Sequence, residues 1–359
     1  MSALRRVVVL GAGGELGARV CRSIARVPSV ELLGASRNAR GPAGVAMTRA
    51  DVREPASVAA LLRAGDLVVN CAGPFHYDPD ALVGACIAAS AHYCDLADDV
   101  AFAESVRAAA AKHGAEASGV LVCAGASTIP GSAGVLARAF ERAPRAAEIA
   151  RVSVYLSVGS RNPVSAGLLA SVLAQLGRSM PDGTRCFAQL RALRARDGRL
   201  LRFGAVPAAF PRSELSIGSR AVPACFWFGF DRAALTALLR LTAPLLAQLP
   251  RAAIAPLARA LLPFARVAPL FGTPRGLLAL VAEDAAGREL ARIELAASER
   301  GLDIPAAPPA LIAARLAREP APPTGARELS DLIPSSELLV WLRSDPSRSI
   351  ASDPPELLS

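Results

Sequence analysis

Short apolar runs alternate with helix-length segments through the first 130 residues. The predicted strands are 6–10, 30–35, 45–47, 67–71, 92–96 and 119–123, and the predicted helices are 16–27, 55–63, 80–90 and 98–113. Strands that alternate with helices of this length are typical of βαβ units, whose strands run parallel. We therefore predict an α/β fold with a doubly wound parallel sheet in this part of the chain.

The rhythm changes after residue 131, where paired strands replace the alternation. The predicted strands are 150–158, 185–196, 199–206, 277–283 and 289–295, and the pattern of residues 164–176 predicts a helix. Asp197-Gly198 is a hairpin signal between two of these runs. The pattern predicts a second, antiparallel α+β domain.

These patterns divide the chain into four parts. Residues 1–135 form the predicted doubly wound domain, and residues 136–300 form the α+β domain, which we expect to bind substrate or mediate dimer formation. Helical periodicity in residues 301–343 predicts C-terminal helices that pack back on the first domain. Residues 344–359 are rich in proline and serine, so we expect a flexible tail.

Residues 232–282 form a basic amphipathic segment, with six arginines and no acidic residue. On a helix, Arg251, Arg259 and Arg266 share one face, a pattern typical of helices that lie on anionic membranes. Prolines break the segment into short or kinked helices, so a pair of packed helices that cover a sheet or line an apolar pocket is the other interpretation. The sequence leaves both open.

The composition predicts a folded protein with two domains. The chain has 359 residues, of which 52% are hydrophobic and 20% charged, so it can bury a sizeable core. The net charge of +9 comes almost wholly from arginine, since Lys112 is the only lysine. The arginines are scattered and aromatic residues make up 4% of the chain, which argues against nucleic-acid binding.

The cysteines indicate the cellular location of the protein, and the histidines bear on whether it binds a metal. Seven cysteines form no C-x-x-C pair, which predicts reduced thiols and a cytoplasmic protein, peripheral to the inner face of the membrane if the basic segment docks there. With three histidines, we expect no histidine-based metal site. No stretch has the pattern of a transmembrane helix or a secretory signal.

A glycine cluster directly follows the first predicted strand, and its spacing fits G-x-x-G-x-x-G through Gly11, Gly14 and Gly17. Gly11 allows a tight turn, and Gly17 permits close packing of helix on strand. Gly13 or Gly14 brings backbone N–H groups close to a pyrophosphate at the helix N-terminus. We therefore predict a Rossmann-type dinucleotide-binding domain in which these four glycines line the cofactor.

The end of the second strand indicates which dinucleotide binds. NAD sites usually place Asp or Glu there to hold the ribose 2′-hydroxyl. This strand ends in Ser36 and Arg37, with no acidic residue in reach. Because a guanidinium binds a phosphate in a fork, the pair favours NADP over NAD.

Two later turns belong to the same crevice, since ligands of open α/β sheets bind outside the carboxyl ends of the strands. Asp51 follows the third strand, and we expect it near the adenine. Asn70, Ala72 and Gly73 follow the fourth strand, and we expect them near the central sugars of the cofactor.

Tyr93 and Asp95 are the predicted catalytic residues. They alternate on the fifth strand, so their side chains point to the same side. Tyr93 is a candidate proton donor, and Asp95 is a candidate to bind the nicotinamide ribose or to orient a donor. Ser127 is expected to hold the nicotinamide amide or the substrate. Simpler interpretations stay open, with Tyr93 as a core aromatic residue and Asp95 as a helix cap.

Two other kinds of chemistry are not supported. Short-chain dehydrogenases share a similar glycine turn but use a Tyr-x-x-x-Lys pair, whereas Tyr77, Tyr93 and Tyr155 are followed four residues later by alanine or glycine. No motif localises a Ser/His/Asp or Cys/His set, so hydrolase chemistry ranks low.

The chain resembles the saccharopine dehydrogenase-like oxidoreductases. Beside the glycine turn, the stretches that carry the resemblance are 69–75, 85–90, 92–97 and 123–130. They are similar to the family's aGPf turn, its CI-A-G-HY-DL stretch and its GASS-P loop. Ser90 stands where glycine is usual, and Thr128 stands where the second serine is usual. The resemblance covers most of the chain and is best through residue 135.

The resemblance implies a Rossmann domain with an inserted α+β domain, and an oxidoreductase that uses NADP or NAD. Combined with Arg37, it predicts NADP(H)-dependent reduction of a C=C, C=O or C=N bond of a small molecule. Because the second domain is rich in Ala, Leu, Val and Phe, an apolar or acyl, lipid-like substrate is favoured over saccharopine.

Two alternatives stay open beside this function. One is a dinucleotide-binding sensor without chemistry, because no sharp acid–base pair is evident. Another is a membrane-associated, lipid-handling protein, because of segment 232–282. A homodimer formed through the antiparallel sheet is compatible with each of them.

Overall fold

The chain forms two units, and each of them is built around its own β-sheet. The structure is a computed structural model that describes residues 4–180, 183–207, 210, 213–265, 267, 270, 272–319 and 321–358. The first unit comprises Met1–Val135 and Leu302–Leu339, and the second comprises Leu136–Gly301 and Val340–Ser359.

A seven-stranded parallel sheet forms the centre of the first unit. Its strands are β1 (Arg6–Leu10), β2 (Glu31–Ser36), β3 (Ala46–Arg49), β4 (Leu67–Asn70), β5 (His92–Asp95), β6 (Leu121–Cys123) and β14 (Gly325–Ala326). The order across the sheet is β14-β6-β5-β4-β1-β2-β3. All neighbouring strands run parallel, so the predicted doubly wound, Rossmann-type fold is confirmed.

Helices follow most of these strands. Those of residues 1–135 are α1 (Glu15–Ile24), α2 (Pro55–Ala59), α3 (Asp80–Ala88), α4 (Val100–Lys112) and α5 (Ala133–Ala137). Those of the C-terminal part are α9 (Ala307–Arg318), α10 (Leu329–Leu332) and α11 (Ser335–Arg343). Helix α9 packs against α1, so residues far apart in sequence complete this unit. Every residue of β1 and β4 is buried, because both runs are almost wholly apolar.

The carboxyl ends of the central strands form one row. Leu10 lies opposite both Ala35 and Asn70, and Asn70 lies opposite Asp95. Strands β2 and β3 follow β1 on one side of it, whereas β4, β5 and β6 continue on the other side. The strand order therefore reverses between β1 and β4. Ligands of doubly wound folds bind at such a switch point.

A mixed eight-stranded sheet forms the centre of the second unit. Its strands are β7 (Arg151–Val158), β8 (Leu190–Arg194), β9 (Leu200–Val206), β10 (Glu214–Ile217), β11 (Arg220–Phe230), β12 (Gly276–Glu283), β13 (Glu289–Ala297) and β15 (Arg348–Asp353). The order is β15-β13-β12-β7-β11-β9-β8, and β10 pairs with β11. Both predicted hairpins are present, as β8–β9 and β12–β13. The sheet is not purely antiparallel, because β7 and β11 run parallel.

Among the described residues between 136 and 301, the α-helices that lie wholly in the second unit are α6 (Ala166–Gln175), α7 (Ala233–Leu246) and α8 (Arg251–Ala265). Helix α7 packs against β9 and β11, and α8 packs against α6. The basic amphipathic segment thus contains two helices, while Arg266, predicted to continue its basic face, lies outside the described residues. No helix in the described ranges is long and apolar enough to cross a bilayer.

The prediction of a flexible tail at residues 344–359 is wrong. Strand β15 pairs with β13 over six residues, and this ladder holds one side of its backbone at the edge of the sheet. Leu357 and Leu358 are buried, and the guanidinium of Arg348 lies 4.3 Å from the ring centroid of Trp341. Pro346 precedes the strand, and Pro354 and Pro355 follow it, so no proline interrupts its ladder.

Candidate functional site

The glycine turn is tight at two positions that exclude a side chain. Gly11 follows β1 with a φ of +76°, and a Cβ there would lie 2.9 Å from the backbone of Ala72. A Cβ at Gly17 would overlap the carbonyl oxygen of Gly11. These glycines let the turn between β1 and α1 pass directly beside the turn that follows β4.

The start of α1 offers backbone donors to an anion. Gly14 is the N-cap residue and has no side chain to accept from the first N–H groups of the helix. The one carboxylate of this turn, on Glu15, accepts from Arg19, with 2.6 Å between Oε1 and Nη2. The charge of Glu15 is therefore offset. This cradle has the backbone donors that a pyrophosphate needs, and binding by Gly11, Gly13, Gly14 and Gly17 stays a prediction.

The loop after β2 closes over the glycine turn. A Cβ at Gly13 would overlap the carbonyl oxygen of Arg40, so this loop touches the turn through backbone atoms. The hydroxyl of Ser36 donates to that same carbonyl at 2.8 Å, which holds the loop in shape. Arg37 and Arg40 are exposed on the loop. Ser36 thus shapes the predicted 2′-phosphate site, while the arginines supply its positive charge.

Sequence reasoning missed Arg49, a third arginine beside this loop. It is the last residue of β3 and lies opposite Ser36 in the register of the two strands. Its position depends on the register between β2 and β3, and the short, weakly apolar run of β3 does not reveal which residues of the two strands pair. Asp51 follows β3, and its Oδ1 accepts from the backbone N–H of Arg53 at 3.0 Å. Its carboxylate therefore stabilises the turn beside the expected adenine position.

Asn70 organises the turn after β4 from within the core. Its Oδ1 accepts from the N–H of Ala72 at 3.1 Å, and its Nδ2 donates to the hydroxyls of Tyr77 at 2.8 Å and Tyr93 at 3.0 Å. The side chain is fully buried, with both amide ends engaged. Asn70 therefore positions Ala72 and two tyrosines. Gly73 is exposed, and a Cβ there would meet only the ring of Phe75, at 3.7 Å.

Asp95 is a buried carboxyl group at the carboxyl end of β5. Its Oδ1 accepts from the N–H groups of Ala97 at 3.0 Å and Gly125 at 2.9 Å. Its Oδ2 is buried and has no hydrogen-bond partner among the described residues. Burial raises the pKa of Asp95 to about 6, and the two backbone donors offset only part of that effect. Such a group can hold or release a proton near neutral pH.

Tyr93 lies beneath the crevice rather than at its surface. It is fully buried, and burial raises the pKa of its hydroxyl well above the ordinary value. Tyr77 shares the amide of Asn70 but is partly exposed, and its ring packs edge-on against Phe102 at 5.3 Å. Sequence reasoning assigned Tyr77 no chemical role, although its spacing from Asn70 across a Gly-Pro turn was visible.

The loop after β6 is tied to Asp95 at two points. Gly125 donates its N–H to the carboxylate, and Ala126 donates to the backbone carbonyl of Asp95 at 2.7 Å. The hydroxyl of Ser127 donates to the carbonyl of Ile129 at 2.7 Å, so it supports its own loop. The structure brings Asn70, Tyr93, Asp95 and this loop together.

The comparisons with known proteins agree with this geometry. Residues 7–123 match the family model described as "Saccharopine dehydrogenase NADP binding domain". A curated relative is a probable mitochondrial saccharopine dehydrogenase-like oxidoreductase of Arabidopsis thaliana, 30% identical over 152 residues. That match covers 36% of this chain and 34% of the relative, so it spans about a third of the relative's length.

A solved structure is similar over almost the whole chain. It is apo histidine-tagged saccharopine dehydrogenase (L-Glu forming) from Saccharomyces cerevisiae, with a TM-score of 0.57 and 13% identity. The similarity covers 97% of this chain and 99% of that one. The predicted resemblance to saccharopine dehydrogenase-like oxidoreductases is therefore confirmed, and so is an NADP-binding domain over residues 7–123.

Proposed function

We propose that this chain, which carries a saccharopine dehydrogenase NADP binding domain, is an NADP(H)-dependent oxidoreductase that reduces a C=C, C=O or C=N bond. One observation carries the proposal. The glycine cradle and the buried carboxyl group of Asp95 follow strands of the same sheet, at the carboxyl edge near its switch point. The cofactor, when bound, supplies a hydride, and the protein must bind it and manage a proton.

Binding rests on two groups of residues. The N–H groups at the start of α1 hold the pyrophosphate, since Gly14 leaves them uncapped. Arg37, Arg40 and Arg49 surround the end of β2 and hold the ribose 2′-phosphate, because guanidinium groups bind phosphate through charge-assisted hydrogen bonds. This charge favours NADP(H) over NAD(H).

Proton handling rests on the groups around Asn70. Asp95, with a pKa of about 6, holds a proton on its unpaired Oδ2 in part of the molecules near neutral pH. Burial raises the pKa of Tyr77, so its hydroxyl stays protonated. This hydroxyl donates a hydrogen bond to the substrate atom that gains the proton. Tyr93 and Asn70 are positioning residues, because the amide of Asn70 does not titrate and burial raises the pKa of Tyr93 well above its ordinary value.

The substrate class that we propose is apolar or acyl. Helix α6 carries no charged residue, and most of its side chains are half-buried. Arg151 and Arg191 on the second sheet already bind Glu283, at 2.6 Å and 3.2 Å, so neither is free to hold a carboxylate of an amino-dicarboxylate. These pairs satisfy the guanidinium groups without a ligand.

A sensor that binds NADP without chemistry is the second candidate. The full burial of Tyr93 and the local hydrogen bond of Ser127 favour it, because neither hydroxyl is free for a substrate. Homodimer formation, a cytoplasmic location and contact with a membrane are compatible with both candidates.

Steady-state oxidation of NADPH separates the two candidates. The full chain is mixed with NADPH and a panel of enals, ketones and imines, each with a short and a long alkyl chain. We expect turnover that favours long chains and is lost in Asp95→Asn. Tight NADPH binding without turnover across the panel would favour the sensor, and turnover confined to charged substrates would refute the apolar class.

A further inference from the structure

The large apolar side chains that remain exposed are concentrated in one stretch. Among the described residues, those exposed by more than a third are Leu200, Leu238, Leu241, Leu245, Leu261, Phe264, Val267, Leu270 and Val340. Seven of these nine lie between residues 238 and 270, on α7, on α8 and directly after α8. Large exposed apolar patches mark interaction surfaces, whereas single exposed side chains do not, and here the exposed side chains recur along two helices that are consecutive in the chain.

These side chains are not needed to hold the helices on the unit. On α7, Thr236, Ala243 and Leu246 form the buried face. Leu241 and Leu245 point elsewhere and are 76% and 68% exposed. On α8, Ile254 and Ala258 are buried, while Phe264 is 74% exposed. Each helix thus has one apolar face on the protein and another in solvent.

The same two helices carry arginines that have no ion-pair partner among the described residues. Arg232, Arg240, Arg251 and Arg259 are all exposed on or beside α7 and α8. No Asp or Glu occurs between residues 232 and 282. Helices that lie in a membrane interface typically expose leucine, phenylalanine and arginine side chains, as these two helices do.

We propose that α7 and α8 form a docking surface for an anionic lipid bilayer. The exposed apolar side chains enter the boundary between headgroups and acyl chains, and the four arginines contact lipid phosphates. The helices lie in the plane of the membrane. This surface is independent of the nucleotide site and adds membrane attachment to the proposed function.

The charge argues for lipid over a second copy of the chain. A two-fold contact presses the same patch against itself, so the arginines of one copy would face those of the other. The segment has no acidic residue to pair with them. Burying unpaired guanidinium groups is costly, whereas lipid phosphates neutralise them.

Vesicle flotation of the full chain tests this proposal. The vesicles contain phosphatidylcholine alone, or equal parts of phosphatidylcholine and phosphatidylglycerol. One variant combines Leu241→Ser, Leu245→Ser and Phe264→Ser, and another combines Arg240→Gln, Arg251→Gln and Arg259→Gln. Controls are Val340→Ser and Arg26→Gln, which change one exposed apolar and one exposed basic side chain outside the two helices. Circular dichroism and light scattering monitor folding and mass.

We expect the wild type and both controls to float with the anionic vesicles and not with phosphatidylcholine. Each variant should lose at least about tenfold in affinity, since one arginine near an anionic surface contributes about fivefold. Equal binding of folded variants and wild type would overturn the proposal. So would a wild-type dimer that the apolar variant dissociates without any loss of vesicle binding, which would identify a subunit interface.

Discussion

Asn70 and Asp95 are the last residues of two neighbouring parallel strands and lie opposite each other in their register. The amide of Asn70 holds Tyr77, Tyr93 and the turn at Ala72, while the carboxylate of Asp95 holds the loop at Gly125. Two adjacent side chains thereby organise both loops beside the switch point, and the proposed chemistry depends on them.

Asp95→Asn should lower activity and raise stability. The amide oxygen retains both backbone donors, and the variant no longer buries a charge. Burial raises the pKa of Asp95 from 3.8 to about 6, so its ionisation costs up to about 3 kcal/mol of folding free energy at neutral pH. We expect kcat to fall about a hundredfold or more, while urea denaturation gives a higher unfolding free energy.

The pH dependence of this gain has a definite sign. Asp95 contributes stability when it is protonated below pH 3.8, and it loses that contribution as the pH rises through about 6. The variant should therefore gain over the wild type above pH 6 and lose that gain near pH 4. Glu104→Gln, which changes an exposed carboxylate of α4, serves as the control. Equal kcat in wild type and Asp95→Asn would contradict a proton-handling role.

Tyr77→Phe and Tyr93→Phe should distinguish a hydroxyl that contacts the substrate from one that stabilises the fold. Each removes one hydroxyl that accepts from the amide of Asn70, and Tyr93→Phe also removes the hydroxyl whose hydrogen bond lowers the pKa of Asp95. Because only Tyr77 is partly exposed, Tyr77→Phe should lower kcat at least about tenfold with little change in KM. Tyr93→Phe should mainly lower the unfolding free energy, by about 1 kcal/mol. The reverse ranking of kcat would contradict our assignment.

Gly13→Ala should weaken NADPH binding without unfolding the protein. A Cβ at this position overlaps the carbonyl oxygen of Arg40 and displaces the loop that carries Arg37. We expect the Kd to rise at least about tenfold, measured by nicotinamide fluorescence. In the control Gly167→Ala, the new Cβ meets only Ser165, at 3.8 Å, and binding should not change. An unchanged Kd for Gly13→Ala would mean that the loop does not contact the cofactor.

His92 should make the protein less stable in mild acid. Burial lowers its pKa from 6.5 to about 4, and its Nδ1 accepts from the N–H of Leu121 at 3.0 Å. The unfolded chain therefore binds a proton between pH 6.5 and 4 that the folded chain does not. The unfolding free energy should fall by up to about 3 kcal/mol over this range, and His92→Gln should remove that loss. Equal pH slopes for both proteins would contradict this assignment.

Local patterns were enough to predict the first sheet and its glycine turn. The tight turn at Gly11 and the close packing at Gly17 depend on residues a few positions apart, so the sequence carries them directly. Arg49 was missed because it reaches Ser36 only through the register of β2 and β3. A pairing between strands depends on contacts that a single run of residues does not encode.

The C-terminal strand escaped prediction for a related reason. Residues 348–353 form β15 only because β13 supplies a paired edge about fifty residues earlier in the chain. The burial of Tyr93 likewise follows from the sheet around it, whereas the alternation of β5 predicted only that its side chain points to the same side as Asp95.

The most direct test of the central claim is a titration with NADPH and NADH, followed by nicotinamide fluorescence. Arg37→Glu and Arg49→Glu are measured beside the wild type, with Arg26→Glu as an exposed control that follows the C-terminal end of α1. We predict that the wild type and the control bind NADPH more tightly than NADH, and that the two test variants lose this preference by at least about tenfold. A wild type that binds neither nucleotide, or variants that keep the full preference, would contradict the NADP site at the end of β2.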